Sequence, residues 1–328
     1  MRRIPTEVEN KRGVYYNRNM KITVIFTGGT IATEETDGTR RLNEASASAL
    51  LAAYEREYGK EEWEVVSIAP ALSENNNGAR LTEIVESVAK ALAGDSDGVI
   101  AAHGTDTLQY SAAAVRYAFG ADSKPVVFVS ASDPIDDPCT NALYNMRAAV
   151  NYVAGGNRGV KVAYVDHITC VKLLKHGIKE PENAIFDADR LSAHDSFSDV
   201  FRVVRNASGY PAEGVYRKGA RFADGKVLRL TAYPGMLYPS AFPEGTEAVI
   251  IECYHSGTLR TEGEDFEAFS ALASAKGIGV FLTGVARDEI PYESSEKLLG
   301  KNFTPLYGLA PIAAYVKLWY DIALADMR

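Results

Sequence analysis

Residues 21–32, KITVIFTGGTIA, decide how the rest of the chain is read. Lys21–Thr27 is a nearly continuous apolar and β-branched run without alternation, the pattern of a strand buried on both faces. It runs into Gly28-Gly29, where the backbone can turn sharply and approach a ligand closely. In an open α/β sheet, ligands bind beyond the carboxyl ends of the strands. Thr30 therefore stands where a hydroxyl can be presented for chemistry. Taken alone, the same residues also fit an ordinary Gly-Gly turn with a capping threonine.

Outward from this run, short apolar stretches alternate with longer amphipathic ones. Further strands are expected at Trp63–Ile68, Gly98–Ala102, Pro125–Val129 and Val160–Val165, with helices at Asn43–Tyr58, Leu81–Leu92, Thr107–Phe119 and Thr140–Val153. In one of them Leu81, Ile84, Val88 and Leu92 recur at helical spacing. Such alternation indicates a parallel sheet covered on both faces. Residues 206–225, NASGYPAEGVYRKGARFADG, carry a linker signature. Beyond them come strands at Val227–Leu230, Ala248–Cys253 and Gly279–Thr283, and helices at Glu264–Ala275 and Ala310–Ala325. The expected organisation is an extension at 1–19, an N-terminal α/β domain at 20–205, a linker at 206–225 and a C-terminal α/β domain at 226–328. The extension is charged and aperiodic and lacks the apolar core of a secretory signal.

Composition sets the outer limits. The chain has 328 residues, 46% of them hydrophobic, with a formal net charge of -8 and a pI near 5.3. Nothing in that balance supplies the basic footprint that nucleic acid needs. No apolar run approaches the roughly 20 residues of a membrane-spanning helix. Cys139, Cys170 and Cys253 are too few and too dispersed for a disulfide framework, which fits a reducing, cytoplasmic setting. The five histidines show no metal-ligand spacing, so neither a metal nor a cofactor is expected.

Two further strand ends are polar in the same way. The strand GVIAA runs into His103-Gly104-Thr105-Asp106-Thr107, and another segment ends in Leu72-Ser73-Glu74-Asn75. Helix capping accounts for some of this, because Thr and Asp are good caps. The joint appearance of Thr30, Ser73, Glu74, Thr105 and Asp106 on one rim weighs more than any single motif. Hydroxyls beside carboxylates suit attack on a carbonyl while an ammonium group is held.

With TGGTIA at 27–32 and DGVIAAHGTDT at 97–107, the chain resembles the bacterial-type L-asparaginase/glutaminase family. KPVVFVSASDP at 124–134, NALYNM at 141–146, PGMLYP at 234–239, YHSGTL at 254–259 and PLYGLAPIAAYVKL at 305–318 extend the resemblance from about residue 20 to the C-terminus. The fold it implies is α/β: two three-layer α/β/α domains, the larger N-terminal one around a mostly parallel sheet and the smaller C-terminal one flavodoxin-like. The activity it implies is hydrolysis of L-asparagine, or L-glutamine, through a threonine nucleophile and an acyl-enzyme. Carried over by position, Thr30 is the nucleophile. Thr105 belongs to a Thr-Lys-Asp relay, for which Lys179 is the candidate lysine and Lys175 the alternative. Asp106 holds the substrate ammonium, and Ser73 touches the carboxylate with Glu74 beside it. Gly29, Gly104 and Ser130 join the substrate-binding set, as does His255, which stands in a strand-end loop where a packed supporting role fits equally; the resemblance implies a homo-oligomer, a dimer or tetramer.

Three departures from the family pattern bear on activity. The lysine region, LLKHGIKEPENAIFDADR, is out of register. The segment TEETDGTRRLNE after the first motif has no tyrosine, and in YHSGTL Thr258 replaces the polar residue often found after that turn. An amino-acid sensor without turnover, or an ammonia-supplying amidotransferase subunit, are the competing readings.

Overall fold

Residues 20–42, 45–192, 200–204, 207, 213–285, 287 and 291–328 are described by the computed structural model; the extension expected at 1–19 lies outside them. Two compact units emerge. The first takes the described residues up to Ala188 with 200–202 and 213–216; the second takes 189–192, 203–204, 207 and 217–328.

In the first unit, strands β1 (Lys21–Gly28), β4 (Glu62–Ala71), β5 (Gly98–Ala102), β6 (Val126–Val129), β7 (Val160–Ala163) and β8 (Ile185–Asp187) form one sheet in the order β4-β1-β5-β6-β7-β8. All neighbours are parallel except β7 and β8. A hairpin of β2 (Thr33–Thr36) and β3 (Thr39–Leu42) follows β1, turning at Asp37-Gly38. Strands β1 and β5 are buried along nearly their whole length, as their lack of alternation predicts. Helices α1 (Ser46–Tyr58) and α4 (Ala142–Ala154) pack together on one face, with Leu50, Tyr54, Met146 and Val150 against Ile22, Val24 and Ile100. Helices α2 (Gly78–Leu92) and α3 (Leu108–Phe119) pack against each other, and α2 buries Leu81, Ile84 and Val88. Each fully buried side chain of this size stabilises the fold by about 1.5–3 kcal/mol. A short helix, α5 (His167–Lys175), lies between β7 and β8.

Two-residue strands β9 (Leu191–Ser192) and β10 (Arg202–Val203) pair with each other. The second unit holds a parallel sheet of β11 (Val227–Thr231), β12 (Ala248–Glu252), β13 (Gly279–Thr283) and β14 (Thr304–Pro305), in that order. Helices α6 (Glu264–Lys276) and α7 (Glu293–Gly300) bury Phe266, Phe269 and Leu298 with Val249, Ile251 and Leu282. Helix α8 (Pro311–Ala325) closes the chain.

The division between units falls between Ala188 and Arg217, not at a single linker over 206–225. The glycine-rich stretch carries aromatic residues that anchor it. Tyr216 stacks on Phe119 and donates to Glu86 within the first unit. Phe222 stacks on Tyr320, and Trp319 donates to the Ala223 carbonyl, within the second.

Candidate active site

The order β4-β1-β5 reverses the winding of the first sheet at β1. At such a switch point the helices leave in opposite directions and a crevice opens beyond the carboxyl ends of the two strands. Here those are the ends of β1 and β5, where the motifs TGGT and HGTDT stand.

Three loops meet there because their side chains are missing or small. Gly29, at φ 81°, donates its N–H to the Ala71 carbonyl at 3.0 Å. A Cβ on Gly29 would lie 2.0 Å from the Gly104 Cα, and one on Gly104 would lie 2.4 Å from the Ser73 Oγ. The loops after β1, β4 and β5 are thus in contact across positions that only glycine can fill. Thr30 opens a 3-10 turn over Thr30–Ala32 and is half-buried; the Thr33 hydroxyl donates to its carbonyl at 2.8 Å.

Ser73 is the link between the second and third loops. Its buried hydroxyl accepts from the Asp106 N–H at 3.2 Å and faces the Asp106 carboxylate at 3.3 Å. The Thr107 hydroxyl donates to the Ser73 carbonyl at 2.9 Å. Asn76, which the motif reading passed over, donates to Thr107 Oγ1 at 2.8 Å and lies 3.4 Å from His103 Nε2. Its sequence signal is the run Asn75-Asn76-Asn77: Asn77 caps α2 by accepting from the Arg80 N–H, which leaves Asn76 beside Ser73 to engage the β5 loop. Thr105 is half-buried, while Asp106 and Glu74 are exposed on the rim.

His103 lies beneath this rim with no exposed surface. Its Nδ1 sits 2.7 Å from the Gly104 carbonyl and must donate to it, so Nε2 is the side that can accept from Asn76. Burial pushes its pKa down to about 4, against the bond to Gly104, and the charge of Arg80 lowers it further. A neutral imidazole with both nitrogens engaged orients backbone and is not poised as a base. Arg80 itself donates to the Thr27 carbonyl at 2.7 Å, bracing the end of β1.

The other expected residues belong to other elements. Ser130, at the end of β6, is fully buried, and its Oγ has no partner among the described residues. His255 is exposed in a turn after β12 in the second unit. Lys179 corrects the sequence expectation. Its ammonium pairs with Glu57 of α1 at 2.6 Å and is 64% exposed, and its carbonyl accepts from Tyr58. The segment around it is fastened to α1 and α4: Tyr144 donates to the Ile178 carbonyl, and Arg147 and Asn151 hold Glu180. Those contacts keep Lys179 on the solvent side of the helical layer, away from the strand-end rim. Lys175 is exposed in the last turn of α5. Among the described residues no cluster of three potential metal ligands occurs.

Residues 21–176 match the family model described as asparaginase, N-terminal. Over those residues the chain is similar to the asparaginase family. Similar curated proteins include the D subunit of the glutamyl-tRNA(Gln) amidotransferase of Thermococcus kodakarensis, 27% identical over 335 residues, covering 93% of this chain and 72% of that protein. The D subunit from Pyrococcus furiosus is 29% identical over 322 residues, covering 91% and 71%. Among solved structures, the thermostable L-asparaginase from Thermococcus kodakarensis superposes with a TM-score of 0.70 at 24% identity, covering 93% of each chain. A probable cytoplasmic L-asparaginase from Campylobacter jejuni gives 0.67 at 20% identity, covering 93% of this chain and 95% of that one. The chain therefore has the two-domain α/β fold of those neighbours.

Proposed function

We propose that the crevice at the ends of β1 and β5 hydrolyses the side-chain amide of a small amino acid, asparagine or glutamine, with Thr30 as nucleophile. The observation that carries this is the mutual contact of Gly29, Gly104 and Ser73, which draws the Thr30 loop onto the Thr105-Asp106 loop. Thr30 Oγ attacks the amide carbon, and backbone N–H groups of the glycine turns are suited to stabilising the oxyanion. Ammonia leaves, and water hydrolyses the acyl-threonine to regenerate the hydroxyl. Asp106 and Glu74 attract the substrate ammonium, and Ser73 meets its carboxylate. With His103 neutral and engaged and Lys179 held elsewhere, general-base help to Thr30 is reduced, a contribution worth about 10²–10⁴ in rate. Turnover by the isolated chain is accordingly expected to be slow. The reading carries with it a cytoplasmic homo-oligomer, a dimer or tetramer, that needs no cofactor.

The test is ammonia release from asparagine and glutamine by purified protein. Thr30→Ala should lower it by at least about 10³-fold; equal rates for the two proteins would refute the assignment. A second reading rests on the similarity to the amidotransferase D subunits: the chain releases ammonia for a second protein. Turnover that rises when a copurifying partner is present favours it. Binding of aspartate without any product would instead mark the chain as a sensor.

A further inference from the structure

Two cysteines outside the crevice lie side by side in the first unit. Cys139 is exposed in the loop between β6 and α4, and Cys170 is fully buried on α5. The Cys170 Sγ lies 3.5 Å from the Thr140 carbonyl oxygen and 3.6 Å from that of Cys139 itself. Backbone geometry then puts this sulfur within about 6 Å of the Cys139 Cα.

The loop is held in that position from several sides. The Cys139 N–H donates to Asp137 at 2.7 Å, and the Thr140 hydroxyl donates to the Asp133 carbonyl at 2.9 Å. The Asn141 side chain accepts from the Ser132 N–H and donates to the Val165 carbonyl. A bond between the two sulfurs requires the exposed Cys139 side chain to turn toward Cys170 and its turn to close on α5.

We propose that Cys139 and Cys170 are a redox pair that closes to an intramolecular disulfide when the protein meets a low-molecular-weight disulfide such as oxidised glutathione. The exposed Cys139 thiolate attacks one sulfur of the reagent, forming a mixed disulfide and expelling one thiolate. Cys170, giving its proton to solvent, then attacks the Cys139 sulfur and expels the second thiolate. Two protein thiols are oxidised and one reagent disulfide is reduced to two thiols. Such transient bonds are the form disulfides take in reducing compartments. Burial pushes the Cys170 thiol up to about 11, with the neighbouring Cys139 adding to it; the second step is therefore the slow one and quickens with pH. The bond ties the loop that follows Ser130 to α5, so oxidation stiffens the same sheet edge that carries the crevice.

The experiment is peptide mapping by mass spectrometry after incubation with oxidised glutathione and denaturing alkylation. In the wild type a Cys139–Cys170 cross-linked peptide pair is expected, with both residues lost to alkylation and recovered by dithiothreitol. Cys170→Ser should stop at a glutathione adduct on Cys139. Cys139→Ser should slow oxidation of Cys170 by more than about tenfold, because only the buried, weakly acidic thiol is left to react. Cys253, buried in the second unit, serves as the unreacted internal reference. A wild-type adduct on Cys139 that persists at alkaline pH, or a bond between Cys139 residues of two molecules as the main product, would overturn the pairing.

Discussion

The two sheets are built from the same parts and end differently. In both, apolar parallel strands run into glycine turns at their carboxyl ends: Gly28, Gly29 and Gly104 in the first unit, Gly257 and Gly284 in the second. The first sheet reverses its winding at β1, whereas the second proceeds from β11 to β14 in sequence order. Reversal leaves adjacent strand ends uncovered, and loops from β1, β4 and β5 fall together there. The crowding records it. A Cβ on Gly29 would meet backbone at 2.0 Å, while one on Gly257 would meet its nearest neighbour at 3.3 Å. Polar residues of one rim become a site only where the winding brings their loops into contact.

Beyond Thr30→Ala, the largest effect expected is that of closing the glycine contact. Gly29→Ala should destabilise the protein by about 3–5 kcal/mol in denaturant unfolding, since both its positive φ and its neighbours forbid the methyl. Gly277→Ala, at φ 66° with open space around it, should cost only about 1–2 kcal/mol. Equal losses would erase the distinction between a packed turn and a helix end.

Next comes His103. Its folded pKa lies below its ordinary value, so between about 6.5 and 4 the unfolded chain binds the proton more readily than the folded one. The stabilisation is complete above pH 6.5 and is lost as pH falls toward 4, by about 3 kcal/mol in total. His103→Gln should flatten that part of the acid profile relative to wild type, measured as unfolding free energy at pH 7 and pH 5. Parallel profiles would mean that the imidazole is not held neutral.

The smallest effect belongs to Asn76. Asn76→Ala removes its bridge to Thr107 and His103 and should cost about 1–2 kcal/mol. It should also raise KM for the amide more than it lowers kcat, because it loosens the loop that carries Ser73. An unchanged KM would confine Asn76 to a structural role.

Much of the frame is legible in the residues. The strands at 21–28, 98–102 and 126–129 are read from runs that do not alternate, and α2 from the spacing of Leu81, Ile84 and Val88. The hairpin at 33–42 turns on its Asp37-Gly38 pair, both at positive φ. Residues 167–187 were harder. Helix α5 and strand β8 depend on partners far along the chain, and Tyr144, Arg147 and Asn151 bind the intervening segment from α4. No local pattern announces such contacts, and so Lys179 was expected where it is not.

Two kinds of information thus divide cleanly. Burial periodicity and the freedom of glycine are local properties, so residues 21–32 and 97–107 already specified two buried strands, the turns that end them and the hydroxyls beyond. Strand order is not local. That Gly29 touches Gly104, that Ser73 reaches Asp106 and that Lys179 faces Glu57 depend on which strands and helices become neighbours. Only the packed sheet decides that, because those contacts join residues separated by dozens of positions.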